Sequence, residues 1–286
     1  YINSKGATFT KILHHVKFFV WKQFCLPLLC IKYKADFLLA PDYVVPFFCF
    51  RTKKIVVLHD SFFWKYPENY NPIWRLYFVS LIRLGLEYKA KIVTTSNYSK
   101  IDINGFLRPR RTIEVVYQSY NKLEGNLESH GHKWGDIANK NYVLHVGSFD
   151  KRKNLLLLVQ AYKELVEERK SWQEMLLVLV GEKGENWNDE VYRSIVSFIT
   201  KHHISDRVVL TGHIPDSELK FIYKNASLYV FPSLDEGFGI PMLESFEAGI
   251  PVIASDKGAL GEIGGSGVLL FDSKNIEDLK SKMILV

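Results

Sequence analysis

The sequence predicts an α/β protein of two doubly wound domains, each a parallel sheet with helices on both faces. Three observations predict it. The 286 residues are more than one typical domain holds. The apolar runs are short and continuous rather than alternating, as in strands buried on both faces. Between them lie stretches with helical spacing of apolar residues, the alternation that feeds parallel pairing. A chain 47% hydrophobic and 24% charged, with 18 Gly and 10 Pro, is excluded from the disordered and collagen-like classes.

Taken in order, strands are predicted at 37–40, 55–58, 91–95 and 113–117, with helices at 73–88 and 98–106 between them. These make residues 1–120 the first domain. The stretch that follows is rich in Asn, Gly, Ser and His, without periodicity, and 121–140 reads as the connection. Residues 141–286 then read more cleanly. Strands are predicted at 142–146, 175–180, 207–211, 227–231, 251–254 and 268–271. Helices are predicted at 155–168, 191–199, 217–223 and 241–248, the last with Pro241 at its first position and Gly249 after its end. Ligands of such a sheet bind at the carboxyl ends of its strands, near the switch point in strand order.

Charge is uneven. Residues 1–125 hold 19 Lys and Arg against 8 Asp and Glu, a balance of +11 within a total of +6. A basic first half beside an acidic second half points to an anionic partner for the first, a membrane surface or nucleic acid, or to a solvated basic face. Lys11, Lys17 and Lys22 lie among Phe18, Phe19 and Trp21; this segment either sits at a lipid surface or turns its aromatic face into the core. No nucleic-acid motif accompanies the charge. The apolar stretches 18–31 and 37–50 are broken by Lys22, Pro27, Pro41, Asp42 and Pro46, so neither is expected to span a membrane. Cys25, Cys30 and Cys49 lack a metal-binding or disulfide pattern. No secretory signal is visible, and a cytoplasmic protein is expected. The absent initial Met suggests a fragment.

The chemistry concentrates in two loops. After the strand ending at Phe231 comes Asp235-Glu-Gly-Phe-Gly-Ile-Pro-Met-Leu-Glu244. The amides of Gly237, Phe238 and Gly239 approach a ligand closely, and the helix start adds positive potential suited to an anion. Glu236 precedes this turn and Glu244 lies early in the helix. Ionised carboxylates are pure acceptors, suited to sugar hydroxyls. The second loop, Gly147-Ser-Phe-Asp-Lys-Arg-Lys-Asn154, also links a strand to a helix. Arg152 and Lys153 there could clamp a diphosphate. Singly, each group also fits a solvated loop or a dipole-complementing role. Together they suit a ligand carrying both phosphate and sugar.

With Gly212-His-Ile-Pro-Asp-Ser-Glu-Leu219 and Ala248-Gly-Ile-Pro-Val-Ile-Ala-Ser255, these segments resemble the nucleotide-binding domain of the retaining, GT-B-fold glycosyltransferases called group 1 or family 4. Leu58-His-Asp60, Tyr66-Pro-Glu68 and Thr95-Ser-Asn-Tyr-Ser-Lys100 extend the resemblance to the first half, over roughly residues 18–280. It implies two Rossmann-like domains, the first incomplete. It also implies transfer of a sugar from a GDP- or UDP-linked donor to a glycan or lipid-linked acceptor, with retention. The Arg-Lys-Asn form leans toward mannose. Lys153 and Arg152 would hold the diphosphate, with Ser148 where relatives often carry Arg. Glu244 would hold the ribose. Glu236 and the amides of Gly237, Phe238, Gly239 and Ile240 would face sugar and diphosphate, and His213 and Ile214 the base. His59 would face the sugar; as a lone His it would more often be structural. Catalytic roles thus fall to Glu236, His59 and Lys153.

No Asp-x-Asp pair is present, and no cofactor is expected beyond the donor itself. Two departures stand out: Ser148, and a start lacking the family's first strand and Gly-rich loop. The end also stops where a longer helical tail is expected. These favour the alternative of a protein that binds sugar nucleotide without turnover. A dehydrogenase is disfavoured, because Gly147-Ser-Phe-Asp150 is no G-x-G-x-x-G and Gly264-Gly-Ser-Gly267 opens no helix.

Overall fold

The computed structural model describes residues 8–87, 90–120, 134, 137, 139–181 and 189–286, with side chains from residue 13 onward. The chain divides into two compact units, Tyr1–Tyr117 and Gln118–Val286. Most of the connection expected at 121–140, and the Lys11 side chain, lie outside the described residues. Two residues of that connection, Trp134 and Ile137, pack against the core of the second unit.

The first unit runs α1 (Thr8–Val20), a π-helical turn (Trp21–Cys25), α2 (Leu26–Lys32), β1 (Phe37–Ala40), β2 (Lys53–Leu58), α3 (Phe62–Lys65), α4 (Pro72–Glu87), β3 (Ala90–Thr94), α5 (Asn97–Leu107) and β4 (Ile113–Val115). Its four strands pair in parallel in the order β1-β2-β3-β4. Residues 18–31, read from sequence only as an interrupted apolar stretch, are helical throughout. Pro27 cannot donate to the carbonyl a turn earlier and crowds it. The π turn accommodates this by widening, and the Leu26 amide donates to Trp21 O. Phe18 and Phe19 pack against the core of the unit, while Trp21 stays half exposed.

The second unit runs β5 (Tyr142–Val146), a 3₁₀ turn (Lys151–Lys153), α6 (Leu155–Glu168), β6 (Leu176–Val180), α7 (Asp189–Lys201), β7 (Val208–Gly212), α8 (Asp216–Asn225), β8 (Leu228–Phe231), α9 (Ile240–Ala248), β9 (Val252–Ser255), α10 (Leu260–Gly264), β10 (Val268–Phe271) and α11 (Ile276–Leu285). The six strands are parallel, in the order β10-β9-β8-β5-β6-β7. Successive strand residues alternate between two cores. Val143, Leu177, Leu179, Val230 and Ile253 join α6, α7 and α11 on one face. Tyr142, Leu144, Val178, Tyr229 and Ala254 join α8, α9 and α10 on the other. Burial on both faces is what made these strands continuous apolar runs. One adjustment concerns α9: Gly239, at φ 112°, caps it, so Ile240 is its first residue and Pro241 its second.

Chain order reverses between β5 and β8, the central neighbours, so the connections that follow them run to opposite sides, the switch point at which sheets of this kind bind ligands. The loop after β5 is fixed from behind. Gly181, at φ +154°, packs so closely that a Cβ there would lie 1.9 Å from Gly147 O. From the far side, α11 braces α6 through Lys280, whose Nζ reaches Glu164, Glu168 and Glu277 at 2.9, 2.7 and 3.1 Å. Gly181→Ala should therefore lower the melting temperature by more than about 5 °C, the result of a backbone clash. Gly105, inside α5 with open space within 4 Å of where a Cβ would stand, is the contrast: Gly105→Ala should raise its unit's melting temperature by a few degrees. Calorimetric scans of both variants check the pair.

Candidate active site

Two loops meet across the β5/β8 junction. In the first, Gly147 N donates to Val180 O at 2.9 Å. Asp150 then turns the chain, its Oδ1 accepting from Arg152 N at 3.0 Å and its Oδ2 from Ser148 Oγ at 2.8 Å. The turn brings Arg152 and Lys153 over β8. Lys153 Nζ lies 2.7 Å from Glu236 Oε1, and Arg152 Nη1 lies 2.9 Å from the same oxygen. Arg152 also donates to Asp235 O at 2.7 Å, and Leu234 N donates to Arg152 O at 2.7 Å. Lys153 and Glu236 are each only 8% exposed, so this is a desolvated group of charges rather than a surface ion pair.

A third loop supports Glu236. Ala259 N donates to Glu236 O at 2.8 Å. Gly258, at φ +65°, lies where a Cβ would come within 2.4 Å of Glu236 N. Sequence reasoning missed both residues, although a glycine just after a strand was the available signal. Beyond Glu236, Phe238 is buried and anchors the turn, while Gly237 and Ile240 are half-buried and Gly239 is buried.

Glu244 follows one turn into α9, and its Oε2 accepts from Tyr223 Oη at 2.7 Å. Tyr223, on α8, was also missed; no local pattern distinguishes it from a core aromatic. A cavity of about 200 Å³ opens beside Glu244, Tyr223, Lys220 and Glu247. His213 is exposed just past β7, whereas Ile214 is 3% exposed within the core, so of the two only His213 is open to a ligand. In the first unit, His59 follows β2, and its Nε2 lies 2.7 Å from Pro41 O. Its carbonyl accepts from Thr95 Oγ1 and Ser99 Oγ, each at 3.1 Å. Ser96 caps α5 by accepting from Ser99 N at 3.0 Å, so the Thr95–Lys100 motif holds the His59 turn.

Electrostatics set the protonation states. Burial alone would raise the Glu236 carboxyl, but Lys153 and Arg152 outweigh it and hold the group below the usual carboxylate range. Burial raises Glu244, against the Tyr223 hydrogen bond. His145, near the end of β5, is fully buried. Burial, with a smaller contribution from Lys153, pushes its imidazole down to about 4, against the Val230 carbonyl and the Glu236 and Asp150 carboxylates. A group lowered on folding supports stability above its unfolded value and withdraws it as pH falls through the folded one. His145 should therefore make the second unit lose stability as pH falls from 6.5 to about 4. Glu236 acts at still lower pH, below 4.5. Melting temperatures across the His145 window should fall by roughly 5–10 °C more in the wild type than in His145→Asn.

Residues 129–286 match the family described as glycosyl transferases group 1. The chain is 27% identical over 243 residues to O-antigen chain mannosyltransferase B of Escherichia coli, spanning 81% of this chain but only 60% of that protein's length. Its fold is similar to that of sucrose-phosphate synthase from Thermosynechococcus elongatus, with TM-score 0.71 at 23% identity, over 91% of this chain and 67% of that one. HepE of Anabaena, solved in complex with UDP and glucose, has TM-score 0.70 at 17% identity, over 90% of this chain and 70% of that one. The class predicted above, Rossmann-like α/β domains of the GT-B kind, is the class found. The loops that meet at the β5/β8 junction fall within the matched span, and the chain belongs to the glycosyl transferases group 1 family.

Proposed function

We propose that the chain serves a transferase that moves a sugar, with mannose favoured, from a GDP- or UDP-linked donor to a glycan or lipid-linked acceptor, retaining anomeric configuration. One observation carries the reading: Arg152 and Lys153 converge on Glu236 at the switch-point rim. A departing nucleoside diphosphate gathers negative charge, and cations fixed beforehand at that position stabilise it without reorganising. Lys153 and Arg152 take the diphosphate. Glu236, relieved of part of its ion pairing, accepts from a sugar hydroxyl while the sugar becomes oxocarbenium-like. The amides from Gly237 to Ile240 add neutral donors at the start of α9. Glu244, its second oxygen open to a further donor, takes the ribose. The segment around His213 and Ile214 lies near the base, with His213 its exposed member, and Ser148 takes the edge of the phosphate loop. His59 is carried as a catalytic residue on its motif alone. The donor is held by side chains and amides, with no resident cofactor required.

The mannosyltransferase of Escherichia coli noted above supports the mannose preference and a role in polysaccharide synthesis. Donor binding without turnover is the competing reading, favoured by Ser148. Calorimetric titration with GDP-mannose and UDP-glucose, followed by assay of released nucleotide, separates the two. Lys153→Ala and Glu244→Ala should each weaken donor binding at least about tenfold. Lys170→Ala, beyond the far end of α6, should leave it unchanged. Equal affinities in all three variants would falsify the site assignment, and tight binding with no nucleotide release would favour the competing reading.

We also propose a cytoplasmic protein whose basic half touches an anionic membrane. No helix among the described residues is long and apolar enough to cross a membrane. Support for surface contact comes from Val16, Val20, Trp21 and Phe24, all at least 42% exposed along one helical stretch, beside Lys17. Lys22 is spent on Asp42, at 2.6 Å. The chain should co-sediment with phosphatidylglycerol vesicles and lose this in Trp21→Ser/Phe24→Ser. Equal sedimentation of that variant would overturn the contact.

A further inference from the structure

His145 lies one residue before the end of β5, beneath the loop that carries Lys153. Its ring is fully buried. It stacks beside Tyr229, with centroids 6.0 Å apart and planes at 20°, and meets Phe231 edge-on at 6.0 Å. Nδ1 lies 2.9 Å from Val230 O. A carbonyl can only accept, so Nδ1 carries the proton, and in the neutral ring Nε2 is left with a lone pair. That Nε2 is buried without a hydrogen-bond partner among the described residues. An apolar ring would fill the same space without leaving an acceptor unmatched, and such atoms are uncommon.

Gly147 lies close to that nitrogen and to Lys153. A Cβ on Gly147 would lie 3.1 Å from His145 Nε2, 3.5 Å from Lys153 Cε and 3.7 Å from Lys153 Nζ. Imidazole and ammonium therefore border the same space, the one a side chain at position 147 would take. Lys153 also rests over the Phe231 ring, 5.2 Å from its centroid, the ring that His145 meets by its edge. An ammonium has three N–H bonds, and Glu236 accounts for one of them.

We propose that His145 is a positioning residue for Lys153, its Nε2 accepting an N–H of the ammonium when Glu236 turns toward a ligand hydroxyl. Lys153 then keeps a fixed neighbour while its carboxylate partner changes allegiance, and Nζ stays aimed at the outer phosphate. The imidazole suits this task because it accepts without adding charge: a carboxylate in its place would compete with phosphate for the lysine. This inference rests on the reading that Lys153 meets a diphosphate.

Two substitutions separate the ring nitrogens. His145→Asn keeps a donor near the Nδ1 position and loses the acceptor at Nε2; His145→Gln keeps an acceptor near Nε2. Each is titrated by calorimetry with GDP, UDP, GMP and UMP beside the wild type. For whichever base binds, His145→Asn should weaken the diphosphate at least about tenfold and the monophosphate by no more than about twofold. His145→Gln should recover most of the diphosphate affinity. A diphosphate affinity unchanged in His145→Asn overturns the inference. So does an equal loss for mono- and diphosphate in both variants, which marks a packing role only. If the wild type binds none of the four nucleotides, the diphosphate reading itself falls, and the inference with it.

Discussion

One carboxylate oxygen holds the second unit's rim together. Glu236 Oε1 lies within 3 Å of both Lys153 and Arg152, which precede it in the chain by 83 and 84 positions. Charges this desolvated are costly to leave unpaired, so breaking the group by removing one partner is far worse than never having built it. The same attraction that satisfies Glu236 sets the two cations side by side, and the backbone bonds from Arg152 to Leu234 and Asp235 lock that arrangement. Positive charge concentrated at one point is what a leaving diphosphate requires.

The fold explains why these residues can meet. Parallel strands place every carboxyl end on one edge, and at the β5/β8 junction, where strand order reverses, the first residues of the two loops face each other. The glycines have matching tasks. Gly181 and Gly147 let two loops touch backbone to backbone, and Gly258 does the same beneath Glu236. Each is a position where a side chain would push the rim out of register. Rigidity of this kind suits electrostatic catalysis, which depends on charges already in place before the reaction begins.

Much of this was legible in the sequence, and unevenly so. The second unit's strands stood out because burial on both faces leaves few polar residues in them; β5 and β10 fall at the predicted residues, and the others shift by one residue at one or both ends. Arg152, Lys153, Glu236 and Glu244 were visible because loop chemistry is local: charges and glycines between a strand and a helix. What stayed hidden depended on partners distant in the chain. Tyr223 reads as one more core aromatic until Glu244 is placed against it. His145 reads as an ordinary strand residue until Gly147 and Lys153 are seen above it. The helical run through residues 18–31 was obscured by Pro27, since no sequence signal announces a π turn. The Pro241 position slipped by one because Gly239 supplied the cap.

The brace formed by Lys280 carries a consequence for how the protein is made. Its partner Glu164 lies 116 residues upstream, on the helix that leaves the Lys153 loop. During translation that helix emerges long before its clamp, and β5 likewise waits for β8 to be synthesised before it gains its second neighbour. The rim therefore reaches its final stiffness only when α11 has cleared the ribosome. Until then the nascent chain holds the Lys153 loop on a helix with one flank uncovered.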